Sequence, residues 1–100
     1  MGKQIIWTQQ AAKELSQAFA NLLEVSKSIE IASRVITEIY QSTEILSKTP
    51  YVYKLDSLKD YNPGNIRTYE KHTHRISYLI SKKAIYIIRV RYARKEPLEF

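Results

Sequence analysis

A chain of 100 residues without cysteine leaves room for one domain over residues 1–100 and rules out disulfides and thiolate chemistry. Its 44% hydrophobic and 26% charged composition is that of a globular protein, and its longest apolar run is too short to cross a membrane. The net charge of +6 is uneven: residues 1–50 balance five basic against five acidic groups, whereas residues 66–95 carry nine basic groups and one acid, Glu70.

Gln4 to Trp7 is a short apolar run with β character, a first strand. Thr8 is a good helix cap. Ala11, Ala12, Leu15, Ala18, Phe19, Leu22 and Leu23 then recur at intervals of three and four, which predicts a helix over 9–25. Ser26-Lys27-Ser28 breaks it and supplies a new cap. Ala32, Val35, Ile36, Ile39, Tyr40, Thr43 and Leu46 predict a second helix to about Ser47, stopped by Pro50. Two helices so closely joined pack antiparallel as a hairpin.

Residues 49–65 have turn chemistry without periodicity, ending in Asn62-Pro63-Gly64-Asn65, and read as a surface connection. From Ile66 the period becomes two. Strands are expected over Ile66–Glu70, Arg75–Ser81 and Ala84–Tyr92, with tight turns at His72-Thr73 and Lys82-Lys83. Simple alternation puts Ile76, Tyr78 and Ile80 on one face of their strand. In the last strand it groups Ile85, Ile87, Arg89 and Arg91 against Tyr86, Ile88, Val90 and Tyr92. The tail from Ala93 to Phe100 is expected to be irregular. The architecture is α+β, in the order β-α-α-β-β-β. The helical hairpin lies on one face of a small twisted antiparallel sheet, and arginines project onto the other face.

Several segments carry a family likeness. Ile6-Trp7-Thr8 with Ala11 and Leu15 form the opening, and Tyr53, Asp56, Asn65, Arg67 and Glu70 the middle. His74-Arg75-Ile76-Ser77-Tyr78 and Arg89-Val90-Arg91-Tyr92 form two strands, and Arg94-Lys95-Glu96-Pro97-Leu98-Glu99-Phe100 the tail. In this order the chain resembles the RelE/ParE superfamily of toxins along essentially its whole length.

The resemblance implies the toxin of a bacterial type II toxin–antitoxin module, of the kind that stabilises plasmids. It implies a cytoplasmic protein that a cognate antitoxin neutralises as a hetero-oligomer, with no cofactor, no metal and no membrane. Whether it is an enzyme depends on the branch. ParE-like members inhibit DNA gyrase and cut no RNA; RelE-like members are ribosome-dependent endoribonucleases that cut messenger RNA.

RNA cleavage needs a group to activate the ribose hydroxyl, cations for the phosphate and an acid for the leaving oxygen. Laid over this chain without gaps, the RelE-like second-strand lysines fall at Ile66 and Thr68. The third-strand arginine falls at Arg75, the arginine after the last strand at Lys95 beside Arg94, and the terminal tyrosine at Phe100. Two charges and the phenol are missing, which favours the gyrase branch; a shift of one residue would bring Arg67 to the place of Ile66. Should the chain be a nuclease, Arg75, Arg94, Lys95 and Tyr92 are its catalytic candidates.

The candidate residues for binding target or antitoxin are Arg67, Arg75, Arg89, Arg91, Arg94 and Lys95. The strand arginines form a cationic cluster on the open face, or else are solvated side chains that discourage edge pairing. Arg67 points either to that face or toward the helices, where Asp56 or Glu70 would pair with it. His72 and His74 lack a third metal ligand and read as turn residues, although a histidine could serve as a base. Tyr92 reads as a half-buried strand residue with a possible second role as an acid. Tyr51, Tyr53, Tyr61 and Tyr69 cover the core edge or stack on bases. The partner expected of such a surface is an antitoxin with an acidic or amphipathic C-terminal segment.

Overall fold

The computed structural model describes residues 2–55 and 65–93. Its elements run β1 (Gln4–Trp7), α1 (Gln9–Ser26), α2 (Ile29–Ser42), a 3-10 turn (Glu44–Ser47), β2 (Lys54–Leu55), β3 (Ile66–Lys71), β4 (His74–Ile80) and β5 (Ala84–Tyr92). The β-α-α-β-β-β order holds, with β2 as a two-residue addition inside the stretch expected to be irregular. The tail from residue 94 lies outside the described residues, as do Asp56, Tyr61 and Asn62-Pro63-Gly64.

Local chemistry sets the helix ends. The Thr8 hydroxyl accepts from the Ala11 N–H and starts α1. Lys27, at φ 57°, closes α1 with its N–H on the Leu23 carbonyl. Ser28 caps α2 through the Ile31 N–H. α2 stops at Ser42, five residues short of the expected end. The Ser42 and Thr43 hydroxyls donate to the Ile39 and Tyr40 carbonyls at 2.6 and 2.7 Å, and such back-bonding competes with the helical ladder. The 3-10 turn that follows drops Leu46 into the core, fully buried.

The five strands are ordered β1-β5-β4-β3-β2. The sheet is mixed, not wholly antiparallel as expected: β1 runs parallel to β5, and the other pairs are antiparallel. The core lies between the helices and one face of the sheet. Ala11, Ile39 and Leu46 meet Ile76, Tyr78, Ile80, Ile85, Ile87 and Val90, with Ile5 and Trp7 packed against them.

The last strand departs from simple alternation. Tyr78 pairs with Ile87 while Ser77 pairs with Arg89, so Ile88 is an extra residue, a β-bulge. The bulge reverses the side-chain parity. Ile85 and Ile87 face the helices together with Val90 and Tyr92; Arg89 and Arg91 share the opposite face with Tyr86. Without it, two arginines would follow two isoleucines into the core. Among the described residues no helix is long and apolar enough to cross a membrane.

Candidate binding face

The register assigns the sheet face away from the helices rung by rung. Ile6, Tyr86, Leu79 and Ile66 form an apolar rung across β1, β5, β4 and β3. Arg89, Ser77 and Thr68 form the next, and Arg91, Arg75 and Glu70 the last. Arg75 and Arg91 stand directly opposite each other on neighbouring strands, and Glu70 is the rung's one carboxylate. The arginines share the face away from the helices, as expected from the sequence, but that face is not open throughout: Thr68 and Ser77 at its centre are buried. It grades from apolar at the β4–β5 turn to charged at the β3–β4 turn.

Arg89 is tied to α1. Its Nε–H and Nη2–H donate to Oε2 of Glu14 on α1 at 2.9 and 2.7 Å. The same carboxylate accepts the Val90 N–H through Oε1 at 2.7 Å. Because β1 pairs only with residues 84–87 of β5, Glu14 takes over where the neighbouring strand ends. Burial raises the Glu14 pKa; the bonds from Arg89, Val90 and Gln10 and the charge of Arg89 outweigh it and hold the carboxyl below its usual range.

Arg67 lies on the helix-facing side, in the rung of Tyr78 and Ile87. Its guanidinium sits 4.9 Å from the centre of the Tyr51 ring, and Nη1–H donates to the Tyr53 carbonyl at 2.8 Å. It therefore leaves the open-face set. Among the described residues its partners are this ring and carbonyl, not the carboxylate of Glu70, which stands on the other face; Asp56 lies outside the described residues.

The tyrosines of this side serve the core. Tyr53 stacks on Tyr69 with ring centres 4.2 Å apart, and Tyr69 meets Tyr78 edge-on. The Ser42 proton goes to the Ile39 carbonyl, so the Tyr69 hydroxyl donates to Ser42 at 2.7 Å. Burial pushes the Tyr69 and Tyr78 phenols up to about 12. Tyr51 stays largely exposed.

His72 and Thr73 form the β3–β4 turn with φ of 51° and 63°. Such values mark the hairpin turns that glycine and asparagine prefer. The His72 Nε2–H donates to Glu38 on α2 at 2.5 Å, and this bond, with the histidine's charge when protonated, lowers the Glu38 pKa. His74 is not a turn residue. It is a buried β4 residue whose Nδ1–H donates to the His72 carbonyl at 3.0 Å, and its ring lies 5.5 Å from that of Tyr92. Among the described residues no group of three His, Asp or Glu side chains could hold a metal. Arg94 and Lys95 lie outside the described residues. The Glu14 clamp is the feature that sequence reasoning missed; a glutamate at a half-apolar helix position was its only trace.

A family model described as the ParE toxin of the type II toxin–antitoxin system parDE matches residues 5–97. No curated protein sequence matches the chain. Among solved structures, the chain is similar to one titled the chromosomal ParDE toxin–antitoxin system from P. aeruginosa. The TM-score is 0.75 at 18% identity, over 90% of this chain and 95% of that one. It is also similar to a chain of the YoeB dimer from Staphylococcus aureus, with a TM-score of 0.57 at 14% identity, over 92% and 98%.

Proposed function

This chain belongs to the ParE toxin family of type II toxin–antitoxin systems, and on that premise we propose that it is a non-enzymatic inhibitor of DNA gyrase, neutralised by a cognate antitoxin. The observation that carries the reading is the composition of the open face. Its β3 positions are Ile66, Thr68 and Glu70, so a nuclease built on this face would find no cation on that strand. The one-residue shift that would supply Arg67 runs against the register, because Arg67 faces the helices and is occupied with Tyr51 and Tyr53. Phosphoryl chemistry depends on cations aimed at the developing charge. A face with cations on β4 and β5 and none on β3 suits binding better than cleavage.

Arg75 and Arg91 are then the target-binding cations. They stand directly opposite each other on β4 and β5, where one anionic partner surface can meet both. Arg89 supports them by fixing the edge of β5 to α1. Gyrase supercoiling of a plasmid, run beside cell-free translation with primer extension of the message, tests the reading. The expected result is lost supercoiling with intact message. Cut message with normal supercoiling would overturn it and return the chain to the ribosome-dependent class.

A further inference from the structure

β1 is one edge of the five-stranded sheet, and among the described residues no strand lies beyond it. The direction of its amides follows from two bonds. The Thr8 N–H reaches the Ile87 carbonyl of β5, whereas the Lys3 N–H reaches the Ser47 carbonyl on the outer side. Alternation then turns the main-chain N–H and C=O groups of Ile5 and Trp7 outward. We propose that this edge pairs with β1 of a second copy of the chain, antiparallel and centred on Ile6. Ile5 of each copy then stands opposite Trp7 of the other and exchanges both main-chain bonds with it. The proposal is independent of the gyrase and antitoxin readings.

Strand edges are commonly guarded by a charge, a proline or a bulge. Gln4-Ile5-Ile6-Trp7 has none of these. The nearest lysine is drawn away: the Lys3 ammonium donates to the Ser81 and Lys82 carbonyls at the β4–β5 turn, at 2.5 and 3.1 Å. Beside the edge, a groove of about 480 Å³ lies between β1 and the end of α2. Tyr40 and Ile45 leave apolar surface in water there, at 49% and 54% exposure. Apart from Lys3, the charges bordering the groove are Glu44 and Lys48, one of each sign. Such a border offers little to a strongly acidic or basic segment, and a second copy meets it without net repulsion.

The register follows from which groups are still unused. Centring the pair on Ile5 would set Trp7 against Lys3, whose N–H and carbonyl are both held by Ser47. Centring it on Trp7 would set Ile5 against Gln9, the first residue of α1. Centring it on Ile6 uses the outward groups of both residues. The two-fold axis is then perpendicular to the sheet. Both arginine-bearing faces come to one side, and the apolar rung that begins at Ile6 continues into the second copy. The positive charge does not forbid this. It is concentrated in residues 66–95, and β1 pairs with residues 84–87, at the end of β5 away from Arg91. β1 is only four residues long, so the dimer is weak and forms with concentration.

Sedimentation of the purified chain over a concentration series is expected to show a reversible monomer–dimer equilibrium. Hydrogen exchange at the Ile5 and Trp7 amides is expected to slow as concentration rises, with a smaller change at Ile6, whose amide already faces β5. Ile6 lies outside the core cluster, and thermal melts verify the fold of its variants. Ile6→Lys and Ile6→Glu each set like charges directly opposite one another and are expected to weaken the dimer about fivefold or more. The two variants mixed oppose unlike charges and are expected to recover most of the association. A parent that stays monomeric at every concentration would overturn the proposal, as would an Ile6→Lys variant that dimerises like the parent or a mixture no better than either variant alone. A monomeric parent whose Ile6 variants bind the antitoxin more weakly would assign the edge to that partner instead. The parent measurements decide by themselves should a variant melt without cooperativity.

Discussion

Glu14 and Arg89 are 75 residues apart in the chain and share a two-bond ion pair in which the Glu14 carboxylate also takes the Val90 N–H. One side chain thus caps the free edge of β5 and pairs with one of the three arginines on the sheet face away from the helices. Glu14→Gln keeps the shape but presents an amide N–H₂ to groups that are all donors. It is expected to cost about 1.5–3 kcal/mol, the usual range for hydrogen bonds to a charged group. Urea denaturation checks the figure.

The same pair predicts an acid dependence. The Glu14 carboxyl is depressed in the folded state, so the folded chain binds its proton less readily than the unfolded chain does. Its stabilisation is full above the ordinary value of 4.5 and is lost as pH falls from there through the folded value. Denaturation midpoints of the parent should drop across this window, and those of Glu14→Gln should drop less. Parallel pH profiles would remove Glu14 from the account.

At the alkaline end, Tyr69 and Tyr78 reach about 12 because they are buried. Spectrophotometric titration should show these two phenols lagging behind the others. Their raised values favour the protonated folded state, so that contribution is present below pH 10 and is lost as pH rises toward about 12.

The β3–β4 turn holds Thr73, a β-branched residue, at φ 63°. That region is unfavourable for such a side chain, at about 1–3 kcal/mol. Thr73→Gly removes the strain and adds some backbone freedom to the unfolded chain, so a net gain of about 1 kcal/mol is expected. A melting temperature at or below that of the parent would show that the turn is unstrained.

The sequence made the helices legible because their signals are local: Thr8 and Ser28 as caps, and apolar residues at helical spacing. It made the arginine face legible too, but through an alternation that the bulge at Ile88 breaks. Read at strict period two, Ile85 and Ile87 share a face with Arg89 and Arg91; in the structure they do not. The adjacent Ile87 and Ile88 were the visible sign of the extra residue. The parallel pairing of β1 with β5 joins the two ends of the chain, and local periodicity carries no information about it. Arg67 was ambiguous for the same reason: its side of the sheet depends on register, which β3 alone does not reveal.

The bulge also yields a prediction. Deleting Ile88 restores uninterrupted pairing and turns Arg89 and Arg91 toward the helices. The deleted chain is expected to be insoluble or readily proteolysed, whereas Ile88→Val, which keeps the residue count, is expected to fold. A soluble, protease-resistant deletion variant would mean that the bulge does not set the face.

As proposed target-binding residues, Arg75 and Arg91 are expected to be needed for inhibition and not for folding. The most direct measurement titrates parent and the Arg75→Ala/Arg91→Ala double variant into a gyrase supercoiling assay, with melts recorded on both. The expected result is a double variant that still melts cooperatively, with inhibition weakened by about tenfold or more. A double variant that folds and inhibits as the parent does would contradict it.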